Sequence, residues 1–167
     1  MLYDVRMTEA AQTVAPAFDV LPHLRDPSGV VAVWYTEPPG VVLQMVVPSE
    51  GTVELAQWLV GPSRTELERR FSDAVELVLI MDLRLMTGRD PRARSLVIEL
   101  AKALKPRAQR FIVIPPRAFS PTLRRTMEVT VALLRVFGVK IELAQSLTFV
   151  LASTGLKPLN SASPKLS

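Results

Sequence analysis

Cysteine is absent from the 167 residues, which excludes disulfides, zinc–thiolate sites and thiol nucleophiles. A reducing cytoplasm is the expected setting for such a chain. There is one histidine, His23. A Ser-His-Asp triad built on it would need a loose arm to dock over a long range. No spacing of histidines and carboxylates points to a metal site, and no cofactor is expected. The glycines number 7 and none belongs to a phosphate-cradling loop. Aromatic residues make up 6%, too few for a platform that stacks single-stranded bases. The apolar runs are strand-length, so no membrane span is expected. The opening MLYDVRMTEAAQT has no apolar stretch of the kind a signal peptide needs.

What is present is a core. Hydrophobic residues are 49% of the chain, which excludes a disordered chain for most of its length. The length fits one domain with tails. The formal charge is +4, carried mostly by arginine. A modest basic excess admits acidic proteins, acidic lipids and nucleic acid without choosing among them. Nucleic acid ranks low because charge alone supports it.

Residues 1–28 mix prolines and alanines with no clear period and read as an extension loosely tied to the core. The core begins with VVAVWYT (30–36) and VVLQMVV (41–47), joined by the turn residues EPPG, which is a β-hairpin. Residues 49–74 read as helical, with a break at Gly61-Pro62 and a restart through a capping box of Ser63 and Glu66. VELVLIMDL (75–83) has the continuous apolar character of a doubly buried strand. A helix over 91–104 follows, with Asp90 as N-cap, Pro91 at the first helical position and Ala93, Leu96, Val97, Leu100, Ala101 and Leu104 as its buried face. RFIVIPP (110–116) is a further buried strand. Ser120-Pro121 opens a helix whose stripe is Leu123, Met127, Val131, Leu134 and Phe137, ended by Gly138. A strand over 139–145, a short helix over 146–155 and a polar tail complete the chain. The order β-β-α-β-α-β-α-β-α demands an α/β fold with a mostly parallel sheet, an antiparallel N-terminal hairpin and helices mainly on one face. The division expected is an extension at 1–28, a domain at 29–156 and a flexible tail at 157–167.

That order, with IMDLRLMTGRDPRARSLVIEL at its centre, resembles the STAS domain of sulfate transporters and anti-sigma-factor antagonists. The family signature runs Asp-Leu-Ser, Val-Thr, then Asp-Ser-Ser-Gly-Leu. Its first Asp falls on Asp82, its Thr on Thr87 and its second Asp on Asp90. The two serines fall on Pro91 and Arg92, and the glycine on Ala93. In antagonist members the second serine is phosphorylated by a partner kinase. Arginine stands there in this chain, so the resemblance implies a STAS-like module without that switch. It also implies a bacterial signalling role that is not enzymatic, exerted by binding a protein partner, a kinase-like regulator or another signalling protein, or a second copy. Related STAS/SEC14-like folds hold lipids or small apolar ligands, which is the alternative.

The candidate site residues follow. Asp82 and Asp90 could serve as an acid–base pair, but a strand-end carboxylate and an N-cap explain them structurally, together with Thr87 and Pro91. Arg84, Arg89, Arg92 and Arg94 lie on the turn expected at 84–94, the expected partner-binding face, and crowd the start of helix 91–104, where cations oppose the helix dipole. Converging and exposed, they would hold an anion or an acidic partner. Helix 121–137 is more apolar than a one-sided helix requires, with Val129, Leu133 and Val136 off the main stripe. With Arg124, Arg125 and Glu128 it forms the expected second surface.

Overall fold

The computed structural model describes residues 14–117 and 120–160. The chain enters through β1 (Leu24–Arg25), set antiparallel on β2 (Val31–Glu37). The turn between them is organised by Asp26. Its buried carboxylate accepts the N–H of Val31 at 2.6 Å and of Ser28 at 3.0 Å.

The hairpin closes with β3 (Gly40–Met45), pairing Thr36 with Gly40 and Val31 with Met45. The turn glycine, Gly40, does not take a positive φ. Glycine is needed there for space, since a Cβ would lie 2.7 Å from Thr36 Oγ1 and 2.8 Å from the Val78 carbonyl oxygen.

β4 (Ser49–Gly51) leads into α1 (Val53–Trp58), capped by the Thr52 hydroxyl on Leu55 N–H. The expected break at Gly61-Pro62 does not occur. A π turn, Leu59–Ser63, carries the chain past the proline into α2 (Arg64–Arg70). The wider turn accommodates a residue without an N–H, so the helix has no fresh start to cap. Ser63 is helical and makes no capping bond, and Glu66 binds Arg69 and Arg70 instead.

β5 (Leu77–Asp82) is followed by β6 (Met86–Arg89), α3 (Ala93–Leu104), a 3-10 turn and β7 (Ala108–Ile114). β6 was expected to be turn; it pairs with β4 in a small parallel sheet of its own. α3 starts later than the expected 91–104. Asp90–Arg92 form a turn in which Asp90 Oδ1 accepts Arg92 N–H at 2.9 Å and the Asp90 carbonyl accepts Ala93 N–H at 3.0 Å. Then come α4 (Pro121–Val136), β8 (Glu142–Leu143), α5 (Leu147–Thr154) and β9 (Lys157–Pro158). Ser120 and Ser146 cap α4 and α5.

The main sheet has the order β1-β2-β3-β5-β7-β8, with β9 also on β2. β3, β5, β7 and β8 are parallel, and β1, β2 and β9 supply the antiparallel side. This is the α/β architecture the element order demanded. One face carries Val33, Tyr35, Leu43 and Leu79 against α1 to α4, and the other carries Ala32, Trp34, Ile80 and Ile112 against α5.

The ends of the domain differ from expectation. Residues 14–28 are not loosely tied. Ala15 and Ala17 bond the Gln44 side chain, Val20 accepts from the Trp34 indole at 3.0 Å, and Phe18 meets the Trp34 ring edge-on. At the other end Leu159 is buried and donates to the Tyr35 carbonyl at 2.8 Å. His23 joins the two ends: Nδ1 accepts Tyr35 N–H at 3.1 Å and Nε2 donates to the Leu159 carbonyl at 2.8 Å. Residues 1–13 of the expected extension and 161–167 of the expected tail lie outside the described residues.

Candidate functional site

The parallel strands end, at their C-terminal edge, on a buried polar cluster. In an open α/β sheet this edge is where ligands usually sit. Register places Gln44 beside Asp82. Asp82 is 1% exposed and accepts Gln44 Nε2 at 3.0 Å, Arg84 Nη2 at 2.6 Å, Arg84 Nε at 2.8 Å and the Arg84 N–H at 3.2 Å. The carboxylate raises the affinity of the Arg84 guanidinium for its proton, with burial opposing. Every strong acceptor site on Asp82 is therefore occupied. A hollow of about 220 Å³ adjoins this cluster, bordered by residues 14–17, Arg84, Arg117, Leu147 and Thr148.

The expected arginine cluster divides. Arg84 is locked on Asp82, and Arg92 is paired with Asp90 at 2.7 Å on the surface. That pair lowers the Asp90 pKa, first through the side-chain bond and then through Arg92 N–H. Arg89 and Arg94 turn inward instead. Arg89 Nη2 donates to the Thr130 hydroxyl on α4, and the Nε atoms of both arginines are buried without a partner among the described residues. Burial, and then the charge of Arg94, lower the pKa of Arg89. The four side chains thus do not converge as one exposed cationic face. Thr87 and Pro91 are exposed. Asp82 and Asp90 serve separate networks, with different arginines.

Between the sheet and α2, α3 and α4 lies a cavity of about 120 Å³ that is partly open to solvent. Its wall is almost wholly apolar: Leu43, Leu79 and Val113 from the sheet, Leu100 from α3, and Val131 and Leu134 from α4. The α3 residues expected to be core, Val97, Leu100 and Leu104, are only half-buried because they face this space. Arg89 and Tyr35 also border it. The Tyr35 hydroxyl is buried and has no partner among the described residues, and burial pushes its pKa up, so it stays a protonated donor.

No protein-family model and no curated protein matches the chain. Among the described residues there is no group of three or more His, Asp or Glu able to hold a metal ion, and no helix long and apolar enough to cross a membrane.

The outer face of α4 is the remaining candidate. Arg124, Arg125 and Glu128 are exposed on it, as expected. Val136 is 79% exposed and Val129 37%. Phe137 was expected in the buried stripe, yet it is 40% exposed, its ring beneath the Lys102 ammonium at 4.4 Å. It follows the last turn of α4, where the chain reverses at Gly138 (φ +74°) and returns through buried Val139 to β8. Sequence reasoning missed Thr130, the buried hydroxyl that receives Arg89. Its place three residues after Met127 and four before Leu134 on the expected stripe was the available signal.

Proposed function

We propose that this chain is a non-enzymatic, STAS-like binding module whose ligand is a small apolar molecule held in the cavity beneath α3 and α4. The carrying observation is the cavity itself, about 120 Å³ with an apolar wall. Well-packed interiors leave few voids larger than a water, and an apolar cavity of about 150 Å³ stays dry and accepts benzene. A space of this kind weakens the packing of the domain around it unless something fills it. The STAS-like element order supports the frame, and the ion-paired Arg84 and Arg92 remove the reason to place a partner at the 84–94 segment. Calorimetric titration with toluene tests the reading. Wild type should bind, and Ala101→Leu, which fills the space from α3, should not. Equal binding by both proteins would place the ligand elsewhere.

A second reading has its own observation. Val129 and Val136 on α4, and Phe137 just past its last turn, stand exposed on the helix that also carries Arg124 and Arg125. Such a face suits a protein partner in bacterial signalling or a second copy of the chain. Val136→Asp would abolish that association and leave toluene binding intact.

A further inference from the structure

We propose that the ligand of this cavity is a small weak acid, its apolar body among the side chains of the sheet, α3 and α4 and its anionic end on the Arg89 guanidinium. The inference rests on the ligand-binding reading above and adds the chemical class.

Two cations border the cavity. Arg64 is already engaged, donating to Glu68 at 2.8 Å on the surface of α2. Arg89 has no carboxylate partner among the described residues. Its contact with Thr130 is to a neutral hydroxyl, which in turn donates to the Thr126 carbonyl. Its Nε is buried without an acceptor, and Arg94, close enough to lower its pKa, adds a like charge rather than compensation. A half-buried guanidinium beside another cation, its Nε wholly buried without an acceptor among the described residues, is an unfavourable arrangement that an anion relieves. The bond formed would be of the charge-assisted kind, and the planar fork matches a carboxylate.

The rest of the wall agrees in sign. The Tyr35 hydroxyl is a second buried donor lacking an acceptor. Among the described residues no carboxylate borders the cavity. A ligand bearing an amine would meet like charge at Arg89, whereas one bearing an acid meets its complement. The volume sets the size. Compared with the cavity of about 150 Å³ that takes benzene, the space of about 120 Å³ holds about one aromatic ring or a short alkyl chain within its walls.

Matched acid and alcohol pairs test the assignment: benzoate against benzyl alcohol and hexanoate against hexan-1-ol, by calorimetry at neutral pH on the full chain. The acid of each pair should bind at least about tenfold more tightly than the alcohol. Excess alcohol should displace the acid. Arg89→Met should erase the acid preference while still binding the alcohol, and Arg89→Lys should keep part of it. Alcohol binding as tight as acid binding in wild type would overturn the acid assignment and leave the cavity reading standing. Acid that alcohol cannot displace sits on another arginine and overturns it as well. Should Arg89→Met fail to fold, the wild-type ratio and the displacement decide. Binding by none of the probes would overturn both readings.

Discussion

Asp82 shows how one residue can carry a resemblance and a structural duty together. Its carboxylate lies 1% exposed at the end of β5 and receives Gln44 and Arg84. Gln44 in turn holds the backbone of Ala15 and Ala17. Asp82→Ala would strand a guanidinium and an amide together. The expected loss is about 3 kcal/mol in urea unfolding, with Asp82→Asn costing less because it keeps an acceptor for Gln44. A loss below about 0.5 kcal/mol would be that of an ordinary surface change and would contradict this account. His23 works by tautomer. Nδ1 must accept from Tyr35 N–H, so protonation abolishes that bond. Burial is the main cause lowering its pKa below the usual 6.5. The unfolded chain therefore takes up the proton first, and stability falls as pH drops through 6.5 toward the folded value. His23→Gln should flatten that limb of a stability–pH curve. An unchanged slope would mean the ring does not join the two ends.

At the scale of elements, caps that look alike in sequence do different work. Ser120 accepts Leu123 N–H at 3.1 Å, whereas Ser63 caps nothing. Ser120→Ala should cost about 1 kcal/mol, and Ser63→Ala should stay within about 0.5 kcal/mol, both by urea unfolding. Glu66 pairs with two arginines on that helix. The side-chain bond from Arg69, then Arg70, pull its pKa from 4.5 to about 2, with burial opposing. The stabilisation is full above pH 4.5 and disappears as pH falls through about 2. Because Arg69 is 68% exposed, solvent screening reduces the contribution to about 0.5–1 kcal/mol. Glu66→Gln should remove it at neutral pH and narrow the difference from wild type in acid.

The same elements show what the sequence made legible. Continuous apolar runs such as LVLI in β5 announce a doubly buried strand, and Ser-Pro and Gly138 bracket α4 as expected. Short pairings do not announce themselves. MTGR forms β6 only because SEG of β4 lies alongside, a contact between segments far apart in the chain. The site was less legible than the fold. Arginines close in sequence were read as close in space, but β6 sends Arg89 inward while acids two residues away capture Arg84 and Arg92. Periodicity marked Val97 and Leu100 as inward-facing. It could not tell a filled core from a cavity, because that depends on how far α3 and α4 stand from the sheet.

For the whole molecule, the two ends of the described chain close the same side of the sheet. β1 and β9 both pair with β2, so the hairpin is not the bare edge it would otherwise be. The opposite side ends on the two residues of β8, and Leu143 there is 62% exposed. Between these sides the helices α2 to α4 span the cavity that the functional reading depends on. A toluene titration followed by methyl NMR addresses that reading most directly. The account predicts saturable shifts gathered on Leu43, Val97, Leu100, Val113, Val131 and Leu134, with Val129 and Val136 unmoved. Shifts gathered on Val129 and Val136 instead, or none at all, would contradict it.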